Sequence, residues 1–168
     1  EGNAKLGGFN MGPRELVQVE RIIALGCGTS YHAGMVGCMA MESYARVPAR
    51  AEVANEFRYR NPIIPREALF LAVSQSGETM DTLGAVHEVM LKGGEVAGVV
   101  NVVGSTIART TGKGVYLHSG PEIAVASTKA FTSQVTALLI FSLMLGRTRN
   151  LSLEGGRALA HALGEVPA

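Results

Sequence analysis

Five short apolar runs recur along the chain, each followed by a turn and then by a stretch of different periodicity. They are Arg21–Leu25, Ala49–Val53, Ala68–Val73, Glu95–Val100 and Gly114–His118. Short β-rich runs alternating with longer helical stretches are the pattern of βαβ units, and so of a parallel sheet. Ala68–Val73 (ALFLAV) is apolar at every position, as a strand covered on both faces should be. The predicted fold class is α/β, a three-layer α/β/α domain around a doubly wound, five-stranded parallel sheet.

The stretches between the runs read as helices. Thr29–Ala45 carries Met35, Val36, Met39 and Ala40 on one face. Thr79–Lys92 stops at Gly93-Gly94. Ser127–Leu145 is apolar almost all round, which predicts a buried helix. The 168 residues fit one domain. Residues 1–20 are Gly-rich and read as an irregular linker with a helical turn after Pro13, residues 21–147 as the domain, and residues 148–168 as a helical tail.

Charge and cysteine content narrow the function. Fifteen basic and fourteen acidic residues are scattered and leave a net charge of +1, so no basic face points to nucleic acid. The longest apolar stretch, Val135–Leu145, is too short to span a bilayer, and no signal-like segment opens the sequence. Neither membrane nor nucleic acid is therefore an expected partner. Cys27 and Cys38 make neither a disulfide framework nor a metal site, which fits a reduced, cytoplasmic setting with no metal or cofactor. An apolar content of 47% and a mean hydropathy of +0.22 hint at apolar surface meeting another domain or subunit.

Doubly wound sheets bind ligands beyond the carboxyl ends of their strands, so the loops there carry the functional reading. After the third run comes Ser74-Gln75-Ser76-Gly77-Glu78-Thr79, leading straight into a helix. Ser74, Gln75, Ser76 and Thr79 can all hydrogen-bond a phosphate, and Gly77 lets the backbone approach closely. The free N–H groups and positive dipole end of the new helix add attraction for an anion. Capping by Ser76 or Thr79 would use the same N–H groups, but it accounts for one of these four side chains and not for all of them.

After the first run, Gly26-Cys27-Gly28-Thr29-Ser30 begins like a dinucleotide fingerprint, with Glu52 near the required distance. The place of the third glycine is taken by Tyr31. A second tight turn offering the Thr29 and Ser30 hydroxyls is the better reading. After the fifth run, Glu122–Phe131 (EIAVASTKAF) holds small residues, with Ser127 or Thr128 opening the long helix either as a cap or as a ligand contact. No histidine has metal-ligand spacing.

Four motifs in this order, GCGTS (Gly26–Ser30), EFRYR (Glu56–Arg60), SQSGET (Ser74–Thr79) and EIAVASTKAF, resemble the first sugar-isomerase (SIS) domain of the glutamine–fructose-6-phosphate aminotransferases. The likeness covers about residues 20 to 147. It implies a flavodoxin-like sheet, a phosphate held by Ser74, Gln75, Ser76 and Thr79, and a sugar contacted by Thr29, Ser30, Ser127 and the backbone around Val125. It further implies, as partners, a sugar phosphate, a glutaminase domain and a second SIS domain of a parent chain, within a homodimer. The catalytic glutamate, lysine and histidine of the family belong to that second domain, so no catalytic residue is expected here, only binding of fructose 6-phosphate or glucosamine 6-phosphate. A sensing domain of a regulator and a stand-alone phosphosugar isomerase are the alternatives.

Overall fold

The computed structural model describes residues 2–123 and 127–166. Strands β1 (Arg21–Gly26), β2 (Ala49–Val53), β3 (Ala68–Ser74), β4 (Glu95–Val100) and β5 (Gly114–Tyr116) form one sheet in the order β2-β1-β3-β4-β5. Every neighbouring pair is parallel, so each connection must cross a face of the sheet.

Side chains alternate along a strand, which divides the core in two. Ile22, Ala24, Leu69, Leu71 and Val73 point to one face, where α2 (Thr29–Ala40) and α6 (Lys129–Arg147) add Cys38, Leu138 and Phe141. Ile23, Leu25, Phe70 and Ala72 point to the other. There α3 (Ala54–Tyr59), α4 (Met80–Leu91) and α5 (Thr106–Thr111) add Phe57, Val86, Val89 and Ile107. The three layers expected from the sequence are present.

Helix α2 differs from its sequence reading. Its buried face is the one with small residues, Ala33, Gly34, Gly37 and Cys38, whereas Met35, Val36 and Met39 point outward, Met39 being 67% exposed. The reason is close packing on α6. A Cβ at Gly37 would sit 2.7 Å from the Leu138 side chain, so the helices meet where α2 has no bulk. Regular pitch ends at Ala40 and a π-turn spans Met41–Ala45, which closes at Arg46 with a left-handed φ of 56°.

Helix α6 is 19 residues long with a mean hydropathy of 1.3, enough by length and composition to cross a membrane, yet just over half of it (56%) is buried in the fold. Its core face contains two polar residues, Gln134 and Ser142. The segment before β1 packs onto the same layer. Phe9 stacks on Phe141 with ring centroids 4.6 Å apart, and Arg149 donates to the carbonyls of Leu16, Val17 and Val19 beside α1 (Pro13–Gln18). Beyond α6, α7 (Leu153–Glu165) starts at Ser152, whose hydroxyl accepts from Gly155 N at 3.0 Å. Helices α3 and α5 have no counterpart in the sequence reading: six residues are too few to show a helical period. Strand β5 is shorter than expected, leaving His118 beyond it with φ 53°.

Candidate functional site

Strands β1 and β3 are neighbours, but the chain leaves them in opposite directions along the sheet, β1 toward β2 and β3 toward β4. Such a switch point opens a crevice at the carboxyl ends of the strands. The loops after β1 and β3 therefore meet there, and Thr82 Oγ1 of α4 donates to Cys27 Sγ across the gap at 3.8 Å. Thr29, Ser30, Ser74, Gln75, Ser76 and Thr79 are brought to this one edge. Ser127 lies two residues before α6. Val125 falls outside the described residues.

The β3–α4 loop is tightly wound. Ser74 is buried, and its Oγ accepts from Gly77 N at 3.0 Å while lying 3.0 Å from Thr79 Oγ1. Ser76 Oγ accepts from Glu78 N at 3.1 Å. Gly77 has φ +65°, and a Cβ there would fall on Ser105 Oγ, so both conformation and space demand glycine. At the start of α4, the capping residue Thr79 makes no side-chain cap bond. Among the described residues, nothing accepts from the N–H groups of Met80, Asp81 or Thr82; the first bond of the helix is Leu83 N to Thr79 O at 2.9 Å. Three unpaired donors and the positive end of a 12-residue helix converge beside two hydroxyls.

At the neighbouring helix ends, protein groups take up some of the first N–H groups. At α5, Thr106 N donates to Glu78 Oε1 at 2.7 Å and Ile107 N to Gly77 O at 2.9 Å. Hydrogen bonding from Thr106 and, less strongly, the Arg109 guanidinium hold the Glu78 carboxyl below the ordinary glutamate range. At α6, Glu122 accepts from Ala130 N at 2.9 Å and Thr128 N at 3.3 Å. At α2, Tyr31 N and His32 N close onto Gly28 O at 3.1 and 3.3 Å. Glu78 therefore supports the loop through the start of α5 rather than that of α4.

Two residues that the sequence reading passed over organise the surroundings. Gln134, fully buried on α6, donates from Nε2 to Ser30 Oγ at 3.0 Å, which leaves the Ser30 hydroxyl proton for another acceptor; Gln134 Oε1 has no partner among the described residues. An amide in an otherwise apolar helix was the available signal. Asn101, just past β4, donates from its backbone N to Gln75 O at 3.1 Å. Its Oδ1 accepts from Ser119 N and Oγ at 2.9 and 2.8 Å, and its Nδ2 donates to Gly120 O at 2.8 Å. It stands at a cleft of about 310 Å³ lined also by Gln75, His118 and Pro121. A larger cavity of about 460 Å³ lies at the free edge of β5, beside Lys5, Gly8 and Lys113, and includes none of the predicted site residues.

Other candidates have structural work. Glu52, the acid of the dinucleotide alternative, is held by Arg50 at 2.9 Å and Arg60 at 2.6 Å. Within EFRYR, Phe57 packs edge-on to Phe70 and Arg60 lies over the Phe57 ring. Burial raises the Cys38 thiol to about 11, which keeps it protonated and unreactive. Among the described residues no cluster could hold a metal ion.

Known proteins of the same kind carry the site's wider context. Glutamine–fructose-6-phosphate aminotransferase (isomerizing) of Chlorobaculum tepidum is 47% identical over 99% of this chain, which spans 27% of that protein. The enzyme of the same name from Thermus thermophilus is 42% identical, again over 99% of this chain and 27% of its own length. This chain is thus about a quarter the length of those relatives. Among solved structures, the C-terminal domain of the Francisella tularensis aminotransferase superposes with a TM-score of 0.89 at 34% identity, covering 97% of this chain and 46% of that one. Glucosamine-6-phosphate deaminase from Thermotoga maritima shares the fold, with a TM-score of 0.75 at 19% identity over 95% of this chain and 48% of its own. The family model described as the SIS domain matches residues 15–144, and the chain belongs to that family.

Proposed function

We propose that this chain is the sugar-phosphate-binding half of the isomerase part of a glutamine–fructose-6-phosphate aminotransferase, and that it receives the phosphate of fructose 6-phosphate or glucosamine 6-phosphate at the start of α4. The observation that carries the reading is the unpaired N–H triplet of Met80, Asp81 and Thr82 at the switch point, next to the Ser76 and Thr79 hydroxyls. Hydrogen bonds to a charged group contribute about 1.5–3 kcal/mol each, so a phosphate dianion needs only a few of them. Thr29, Ser30 and Ser127 take the sugar in this reading, with Gln134 orienting Ser30. The relatives' names support the substrate class. The remaining three quarters of such a relative would bring the glutaminase and the second SIS domain, and a cytoplasmic homodimer belongs to the same picture. Alone, the chain is expected to bind without isomerising or aminating, because the catalytic glutamate, lysine and histidine that the resemblance implies belong to the second SIS domain; Glu78, the carboxylate of the phosphate loop, accepts from Thr106 N.

The reading is tested by thermal unfolding with each sugar phosphate. At 100 times the dissociation constant the native state gains about 2.7 kcal/mol if only it binds, and the double variant S76A/T79A keeps its fold but loses the shift. No shift at millimolar ligand, or an undiminished shift in the double variant, would place the phosphate elsewhere or nowhere. Incubation with fructose 6-phosphate and ammonia should give no amino sugar; product from this chain alone would make it a complete enzyme.

A further inference from the structure

The carboxylate of Glu78 sits in the loop that would hold a dianion, where negative charge is unwelcome, yet it is not turned toward the open helix end. It reaches the amino terminus of α5 and accepts from Thr106 N at 2.7 Å. Two further bonds stitch the same loop to α5 and to the end of β4: Ile107 N to Gly77 O at 2.9 Å and Asn101 N to Gln75 O at 3.1 Å. Ser105 Oγ fills the space behind Gly77 that any side chain would need. The loop is thus fastened along Gln75, Gly77 and Glu78, and only the last of these fastenings depends on a side chain. Arg109, which donates to Thr106 Oγ1 at 3.1 Å and to Gly104 O, stands by the carboxylate and offsets its charge.

We infer that Glu78 is a positioning residue for the phosphate site: by capping α5 it fixes the backbone of Ser74–Thr79 in the shape that leaves the α4 donors open, and it keeps its own charge off the ligand. The inference rests on the proposed function only for the identity of the ligand. Deleting the carboxylate frees Thr106 N and slackens the loop, whereas a glutamine keeps an acceptor oxygen at the same reach. Amide NMR of the chain with titrated fructose 6-phosphate separates these states. In E78A the Thr106 amide should move and lose exchange protection, the Gln75 and Gly77 amides should shift with it, and affinity should fall roughly tenfold, the scale of a lost helix cap. E78Q should recover the Thr106 signal and most of the affinity. Unchanged affinity in E78A, or loss in E78Q as large as in E78A with the Thr106 signal intact, overturns the inference. If wild type binds no sugar phosphate, the function fails on its own, and the unliganded spectra still decide: an undisturbed Thr106 amide in E78A removes the cap, a displaced one with shifted loop amides retains it.

Discussion

Helices α4 and α5 begin side by side at the same edge of one sheet, and they treat their first N–H groups in opposite ways. At α5 a carboxylate and a carbonyl from the β3–α4 loop take them up. At α4 three have no partner among the described residues, and the residue placed to cap them, Thr79, spends its hydroxyl on Ser74 instead. Leaving a helix start uncapped costs about 1 kcal/mol, and a fold that closes one start with Glu78 and another with Glu122 has the means to close the third. The difference supports the proposed phosphate position: α4 has donors at hand where α5 has already used its own.

The largest effect on this contrast is expected from G77A. Gly77 joins the two helix ends, with its N bonded to Ser74 Oγ and its O to Ile107 N. An alanine would be forced into a left-handed φ and into Ser105, so stability should drop by about 2–4 kcal/mol in denaturant melts, with both ends disordered together. A drop below about 1 kcal/mol would show that the loop can move aside and that the ends are independent. Next comes T79D, which offers α4 the charged cap it lacks. Calorimetry should find stability changed by less than about 1 kcal/mol and sugar-phosphate binding gone. Retained binding would mean that the ligand does not use those donors.

The smallest effect is in pH. Glu78 has a lowered carboxyl pKa in the fold, so its contribution is complete above the unfolded-state value of about 4.3 and is lost as pH falls through the lower folded value. Thermal midpoints of wild type and E78Q should therefore differ by a constant amount near neutrality and converge in acid. A gap that widens in acid contradicts the cap at α5.

The layering was legible because ALFLAV and its companions are apolar on both faces, and a strand of that kind has few places to go other than the middle of a parallel sheet. The tight strand-to-helix turn at Ser74–Thr79 was legible because hydroxyls and a glycine cluster there. What stayed hidden depended on distance in sequence. Glu78 adjoins the start of α4 in sequence, but its partner lies 28 residues on, at a helix too short to announce itself. The inward face of α2 was hidden for a related reason. Hydrophobicity ranks Met35, Val36 and Met39 above glycine, yet the closeness of Leu138 selects for small size and turns the methionines out. Gln134 reads as a blemish in an apolar helix until Ser30, 104 residues away, is set against it.

Between Ser74 and Thr79 there is neither lysine nor arginine. An anion grasped there would be held by N–H and O–H dipoles, whose pull fades within the first turn of the helix. Such a grip gathers no ligand from afar and clings to none afterwards, as the proposed sugar-phosphate half-site would require.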